Sequence, residues 1–281
     1  MSTSASPSSS TSISPGKCVV CGKETWTRCS ACSEAGLDWM CFCSIGHQKM
    51  IWFLHKRVCG ERSNPFRFPG FTTKEVDEMI HLSEQPINAT FTSRPVSWLE
   101  MYGDVKKLPK AIEIRRRHFK ERLESLMESR ISNCVTPQIE SSIVEFRSNA
   151  YRFRLNANQY LIASGMDKDL IESAAARNLF DVFVWAQHQE THGQLSPFER
   201  DRPEWLSALQ HKRLVRGALM IRRASGKEYS DLQECETFVN RDLERFVHDR
   251  VESTHPQVAQ SLLKRLAGIS FEIKDESSTS W

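Results

Sequence analysis

The sequence predicts a small cysteine-rich finger followed by an all-α helical domain, and three observations predict it. Seven of the nine cysteines fall between Cys18 and Cys59. After residue 60, apolar residues recur at helical spacing, with no strand-like alternation of useful length and no repeat of fixed period. The 281 residues are 40% hydrophobic and 26% charged, enough apolar material for a sizeable core.

The elements follow in chain order. Residues 1–16 hold eight serines and two threonines and have almost nothing to bury, so they read as a disordered tail. Residues 17–60 form the finger. Asn64, Pro65, Pro69 and Gly70 mark 61–71 as a linker. The helical domain runs over 72–270. Thr72-Thr73-Lys74-Glu75 fits a capping box that opens its first helix, and Pro86 ends it. A second helix spans Pro109 to Arg130, with Ile112, Phe119, Leu123 and Leu126 as its stripe. Thr136-Pro137, a cap followed by proline at the first helical position, opens a third that reaches Ser164. A fourth covers 168–192, with Gly193 as its stop. Ser196-Pro197-Phe198-Glu199 starts a helical region to Arg223, interrupted near Arg202-Pro203. A sixth helix covers 228–253, striped by Leu232, Cys235, Val239, Leu243 and Phe246, and a short seventh covers 256–268. Residues 271–281 are a polar tail.

Charge and hydropathy exclude some functions. No run approaches the about 18 apolar residues of a membrane span, and no apolar segment of secretory type follows the N-terminus. The expected location is intracellular, nucleus or cytoplasm, with no membrane partner. The formal charge of +3 sits entirely in the first 60 residues, while 61–281 carry equal numbers of acids and bases. That argues against a general polyanion-binding domain.

The cysteine-rich segment reads Cys18-x2-Cys21-x7-Cys29-x2-Cys32-x10-Cys43-x3-His47-x7-His55-x3-Cys59. An odd cysteine count with tight C-x2-C pairs, in a chain without a secretory segment, points to metal ligands, not disulfides. Zn²⁺ takes four sulfur or imidazole donors in a tetrahedron, and structural sites leave no open position. A C-x2-C turn offers two sulfurs to one ion. A C-x3-H or H-x3-C pair lies at i and i+4, on one face of a helix, and offers two more. Eight ligands make two complete sites, giving Zn²⁺ as the cofactor, two structural ions. Six thiolates and two Zn²⁺ leave a net −2, which brings the first 60 residues to about +1.

From Cys43 to Cys59 the sequence is CSIGHQKMIWFLHKRVC, which resembles the second half of a MYND zinc finger, usually C-S-x2-C-Q-x3-W-x2-H-K-x2-C. The two C-x2-C pairs match the first half, and the resemblance covers about 42 residues. It implies a small zinc-stabilised cross-brace finger, with Cys18, Cys21, Cys43 and His47 on one ion and Cys29, Cys32, His55 and Cys59 on the other. Such interleaving closes long loops in a unit too small for a full core. Three departures stand out. His47 replaces the usual cysteine, and neutral imidazole is a sound zinc donor. The gap from Cys32 to Cys43 is long, so 33–39 loop out. Cys41 either packs beside the site, lies exposed, or replaces Cys43 or His47 as a ligand. The resemblance also implies capture of proline-containing peptides of P-x-L-x-P type, and with no catalytic motif in the chain the expectation is an interaction adaptor, not an enzyme. The matching positions are Ser30, Gln48 and Trp52. Gln48 either bonds the peptide backbone or is simply exposed; Trp52 either walls the pocket or packs inside the finger.

Other candidates read as structural. His188 and His192 have metal-ligand spacing, but both sit near a helix C-terminus, where cationic histidine is favoured anyway. The basic run Lys106, Lys107, Lys110, Arg115, Arg116, Arg117, Lys120 and Arg122 supports the alternative, a nucleic-acid-associated regulator using the 106–122 helix face, against the reading of a solvated face. Cys134 and Cys235 read as inert. Residues 61–281 carry no phosphate-binding loop, dinucleotide fingerprint, nucleophile elbow or methyltransferase signature.

Overall fold

The structure, a computed structural model, describes residues 14–87, 96–97, 99, 109–131, 135–163, 180–181, 183–184, 187, 203–224 and 229–268. Of the tail expected over 1–16, residues 1–13 lie outside them, while Gly16 pairs with Thr25. The polar tail, most of the expected 168–192 helix, His188, His192, Gly193, the 196–199 capping box, Cys134, Lys106 and Lys107 also lie outside them.

The chain opens with a two-residue ladder. β1 (Gly16–Lys17) pairs antiparallel with β2 (Glu24–Thr25) in the register Gly16↔Thr25 and Lys17↔Glu24. Between them the Cys18–Cys21 turn closes on itself: Gly22 N–H donates to the Cys18 carbonyl at 2.8 Å, and Cys18 N–H donates to the Lys23 carbonyl at 2.8 Å. Gly22 has φ +76°, a conformation that suits glycine. α1 (Ser30–Glu34) and α2 (Ile45–His55) follow. Ser44 caps α2 by accepting the His47 N–H at 3.1 Å.

Residues 61–71 make extensive contacts. Phe66 and Phe71 are buried. Phe66 N–H donates to Ser207 Oγ, which in turn donates to the Ser63 carbonyl, both at 3.1 Å. The capping box forms at Thr72, whose hydroxyl accepts the Glu75 N–H while the Glu75 carboxylate accepts the Thr72 N–H, and α3 (Thr73–Glu84) follows. After it, β3 (Pro86–Ile87) pairs with β4 (Val96–Ser97), a short ladder the helical pattern gave no sign of.

The expected helix from 109 to 130 is two helices, α4 (Pro109–Ser125) and α5 (Glu128–Ile131). The interruption has a cause outside the segment. Phe71 N–H donates to the Leu126 carbonyl at 2.8 Å, and Glu128 N–H donates to the Phe71 carbonyl at 3.0 Å, so Phe71 takes up bonds that a continuous helix would make internally. Gly70 permits this approach, since a Cβ there would lie 2.7 Å from the Leu126 carbonyl oxygen. α6 (Pro137–Ala163), capped by Thr136, then α7 (Trp205–Ala224), α8 (Leu232–Phe246) and α9 (Pro256–Gly268) complete the body. A π turn over Val247–Val251 extends α8. No described helix is long and apolar enough to cross a membrane.

The main core joins the finger to the body. Val20, Leu37, Met40, Phe42, Met50, Ile51, Leu54 and Val58 form one apolar cluster with Phe180, Phe183, Leu214, Val215, Leu219, Cys235 and Val239. A second cluster gathers Phe71, Met79, Leu123, Leu126, Ile143 and Phe146, and a third lies between α7, α8 and α9. Arg147 bridges the first two. It is 1% exposed, donates to the Pro69 and Gly70 carbonyls, pairs with Glu75 and Asp181, and lies over the Phe71 ring. Each of the three guanidinium nitrogens finds a partner there, and two carboxylates offset its charge, which is the condition for burying it.

Candidate metal centre

The eight ligand candidates gather into two groups. Cys18, Cys21, Cys43 and His47 lie with all donor atoms within 4.8 Å of one another, as do Cys29, Cys32, His55 and Cys59. The first and third sequence pairs therefore meet, and so do the second and fourth. α2 supplies both histidines. The spacing Cys43-x3-His47 suggests two ligands on one helical face, but the helix begins after Ser44, so Cys43 precedes it in extended chain. At the other end His55 is the last residue of α2, and Cys59 lies beyond two tightening bonds, Arg57 N–H to Leu54 and Val58 N–H to His55. Each pair straddles a helix end.

The distances suit a shared ion. Donors about 2.0–2.3 Å from one tetrahedral Zn²⁺ are about 3.5–3.8 Å apart. Here Cys21 and Cys43 sulfurs are 3.4 Å apart, Cys29 and Cys59 3.4 Å, and Cys32 and Cys59 3.7 Å. Cys18 Sγ is 3.6 Å from His47 Nδ1, and Cys32 Sγ is 3.4 Å from His55 Nε2. Contacts with Cys32 and His55 hold the Cys29 thiol down at about 3. Burial, with neighbouring sulfurs behind it, pushes Cys21 up to about 12 and Cys59 to about 11. Thiols this close cannot all ionise unless a cation sits among them, and a divalent ion with soft donors meets that need. Two Cys3His groups can each hold a metal ion.

Cys41 is in neither group. It is fully buried, and its Sγ donates to the Asp38 carbonyl at 3.4 Å. Its backbone bridges both Cys18 and Arg28, and a Cβ on Gly16 would strike its sulfur, so it packs as part of the finger's floor.

The two histidines differ. His55 presents Nε2 to its sulfurs, and its Nδ1 is buried with no hydrogen-bond partner among the described residues. His47 presents Nδ1 to Cys43 Sγ at 3.1 Å, and its Nε2 lies 2.7 Å from Asp231 Oδ2, at the start of α8. Burial works against charging His47, but Asp231 and the Cys18 sulfur outweigh it and raise its pKa; the same contact holds the Asp231 carboxyl below the usual range. Cys235, one turn along α8, is buried 3.8 Å from Nε2, and burial pushes its thiol up to about 12, which keeps it a neutral packing group. His47, Asp231 and Cys235 also lie within 4.8 Å of one another, but with Nδ1 turned to the first group this triad is that site's outer layer. Nothing in the sequence pattern announced Asp231, which fell inside the helix expected over 228–253, whereas that helix begins at Leu232.

The peptide-binding positions lie on the finger's outside. Ser30 is exposed at the start of α1, and Gln48 is half-buried on α2. Trp52 is 42% exposed, and its ring centroid lies 6.0 Å from that of His55. Ile45 and Trp26, at 70% and 65%, are the other large apolar side chains exposed there. The described basic side chains of α4 have partners: Arg115 donates to the Leu99 carbonyl, Arg116 pairs with Glu84, Arg117 with Glu121, Lys120 with Glu124 and Arg122 with Glu145.

No family model matches this chain, and neither a curated protein nor a solved structure shows significant similarity to it.

Proposed function

We propose that this chain is a zinc-binding interaction adaptor. A MYND-type finger holding two structural Zn²⁺ captures proline-containing partner peptides, and the helical body carries it. Thiolate and imidazole donors in fours favour zinc, and four protein ligands leave no position for a substrate, so the ions are structural, not catalytic. The observation that carries the peptide reading is the exposed indole of Trp52, on the helix that bears both histidines. An extended proline peptide loses little entropy on docking against such a wall, and Gln48, one turn before Trp52, is placed to bond its backbone. Reduced thiols on this scale belong inside the cell, in nucleus or cytoplasm.

The test is titration of a P-x-L-x-P peptide into the chain and its Trp52→Ala variant, with zinc content measured on both. The expected result is peptide binding weakened at least about tenfold, with two zincs retained, as for a central aromatic contact. Loss of zinc in the variant, or no binding by the unmodified chain, contradicts the reading.

A further inference from the structure

The first metal group is not built by the finger alone. His47 Nε2 points out of the group toward α8, and Asp231 Oδ2 receives it at 2.7 Å across a sequence separation of 184 residues. Asp231 occupies the N-cap position of α8, where an aspartate ordinarily accepts an N–H of its own helix, yet its side chain makes no capping bond. Three further contacts hold that surface in register. The Phe238 ring packs against Gly22, so closely that a Cβ there would lie 2.3 Å from it. Cys235 fills the space beside the imidazole. From the end of α7, Arg222 donates to the Lys49 and Met50 carbonyls of α2 and lies over the Phe53 ring.

We infer that Asp231 is the outer-sphere positioning residue of the first metal site, so that the helical body completes that site and metal retention there is coupled to docking of α8. The inference rests on the reading that the two Cys3His groups hold metal. The chemistry is direct. An imidazole binds metal through one nitrogen and carries its proton on the other, so a carboxylate on Nε2 fixes the tautomer with Nδ1 free for the ion and holds the ring in plane with it. It also strengthens Nδ1 as a donor. Among the described residues His55 has no such partner on its second nitrogen, so none of them supports the second site in this way.

The test loads the 281-residue chain with Zn²⁺ and follows its release to a chromogenic chelator, alongside the Co²⁺ absorption spectrum. Asp231→Ala should leave two equivalents bound at saturation, with one of them about 10- to 100-fold easier to remove and the other unchanged. Asp231→Asn, whose amide oxygen still accepts the Nε2 proton at the same shape, should fall between the variant and the unmodified chain. In a His47→Cys background there is no imidazole to orient, and Asp231→Ala should then have no effect on metal release. Release unchanged in both Asp231 variants overturns the inference, as does an effect of equal size in the His47→Cys background, which would make Asp231 merely structural. Fewer than two equivalents in the unmodified chain would instead overturn the metal reading itself.

Discussion

The two metal groups have the same donors, three cysteines and one histidine, and opposite surroundings. The group around His55 draws all its ligands from the finger: Cys29 and Cys32 are buried, Cys32 completely, and the imidazole's far nitrogen meets no partner among the described residues. The group around His47 lies at the seam with the helical body, with Asp231, Cys235 and Phe238 against it. The same donor set thus stands once inside the finger and once at its seam with the helical body.

Ligand loss should break the comparison most severely. Cys32→Ser should remove one ion and unfold the finger, since metal binding in such units supplies on the order of 10 kcal/mol of folding free energy. Cys43→Ser, at the half-buried rim of the first group, should also lose one ion but retain more helical signal, because the body still packs against α2. Circular dichroism with metal analysis of both variants checks the order.

Two glycines sharpen it. Gly22 follows Cys21 of the first group, and Gly60 follows Cys59 of the second; both have positive φ, +76° and +70°. Alanine costs about 1–2 kcal/mol in that conformation. Gly22→Ala must also displace the Phe238 ring, which adds about 1–3 kcal/mol, whereas at Gly60 the nearest atom to a Cβ is Ala31 Cβ at 3.7 Å. Urea unfolding should therefore rank Gly22→Ala well below Gly60→Ala in stability. Equal losses would mean that the seam contributes little.

A smaller effect comes from His211 on α7, between Trp39 of the finger and Phe66. Burial holds its pKa down to about 3, and its Nδ1–H donates to the Ser207 carbonyl. Its folded pKa lies below the unfolded value near 6.5, so the unfolded chain takes up the proton first and stability falls with acid below that value. Between pH 7.5 and 5.5 this group alone removes about 1.4 kcal/mol. His211→Leu should lose that share of the slope in urea midpoints measured at the two pH values, leaving the part due to metal release.

What could be read from the sequence was whatever is encoded by neighbours along the chain. The eight residues at C-x2-C, C-x3-H and H-x3-C spacing are the eight that form the two groups, and the Thr72–Glu75 capping box forms as its four residues imply. What could not be read depends on distant partners. The break between α4 and α5 is made by Phe71, and its own stretch of sequence reads as continuous helix. Phe66 and Phe71 sit among prolines and a glycine that suggest a linker, yet they join two clusters of the core. Asp231 sits at the N-cap of α8 and turns its carboxylate to a histidine of another unit. Cys41 shows the same limit at short range: a C-x-C spacing left its role open, and its complete burial, with backbone bridges to Cys18 and Arg28, shows that it packs.

The central claim is that two Cys3His groups each hold one structural zinc. The most direct test is the zinc stoichiometry of the purified chain by native mass spectrometry, with His47→Ala and Cys41→Ala beside it. The account predicts two ions in the unmodified chain, one in His47→Ala and two in Cys41→Ala. One or none in the unmodified chain, or a loss on removing Cys41 with none on removing His47, would contradict it.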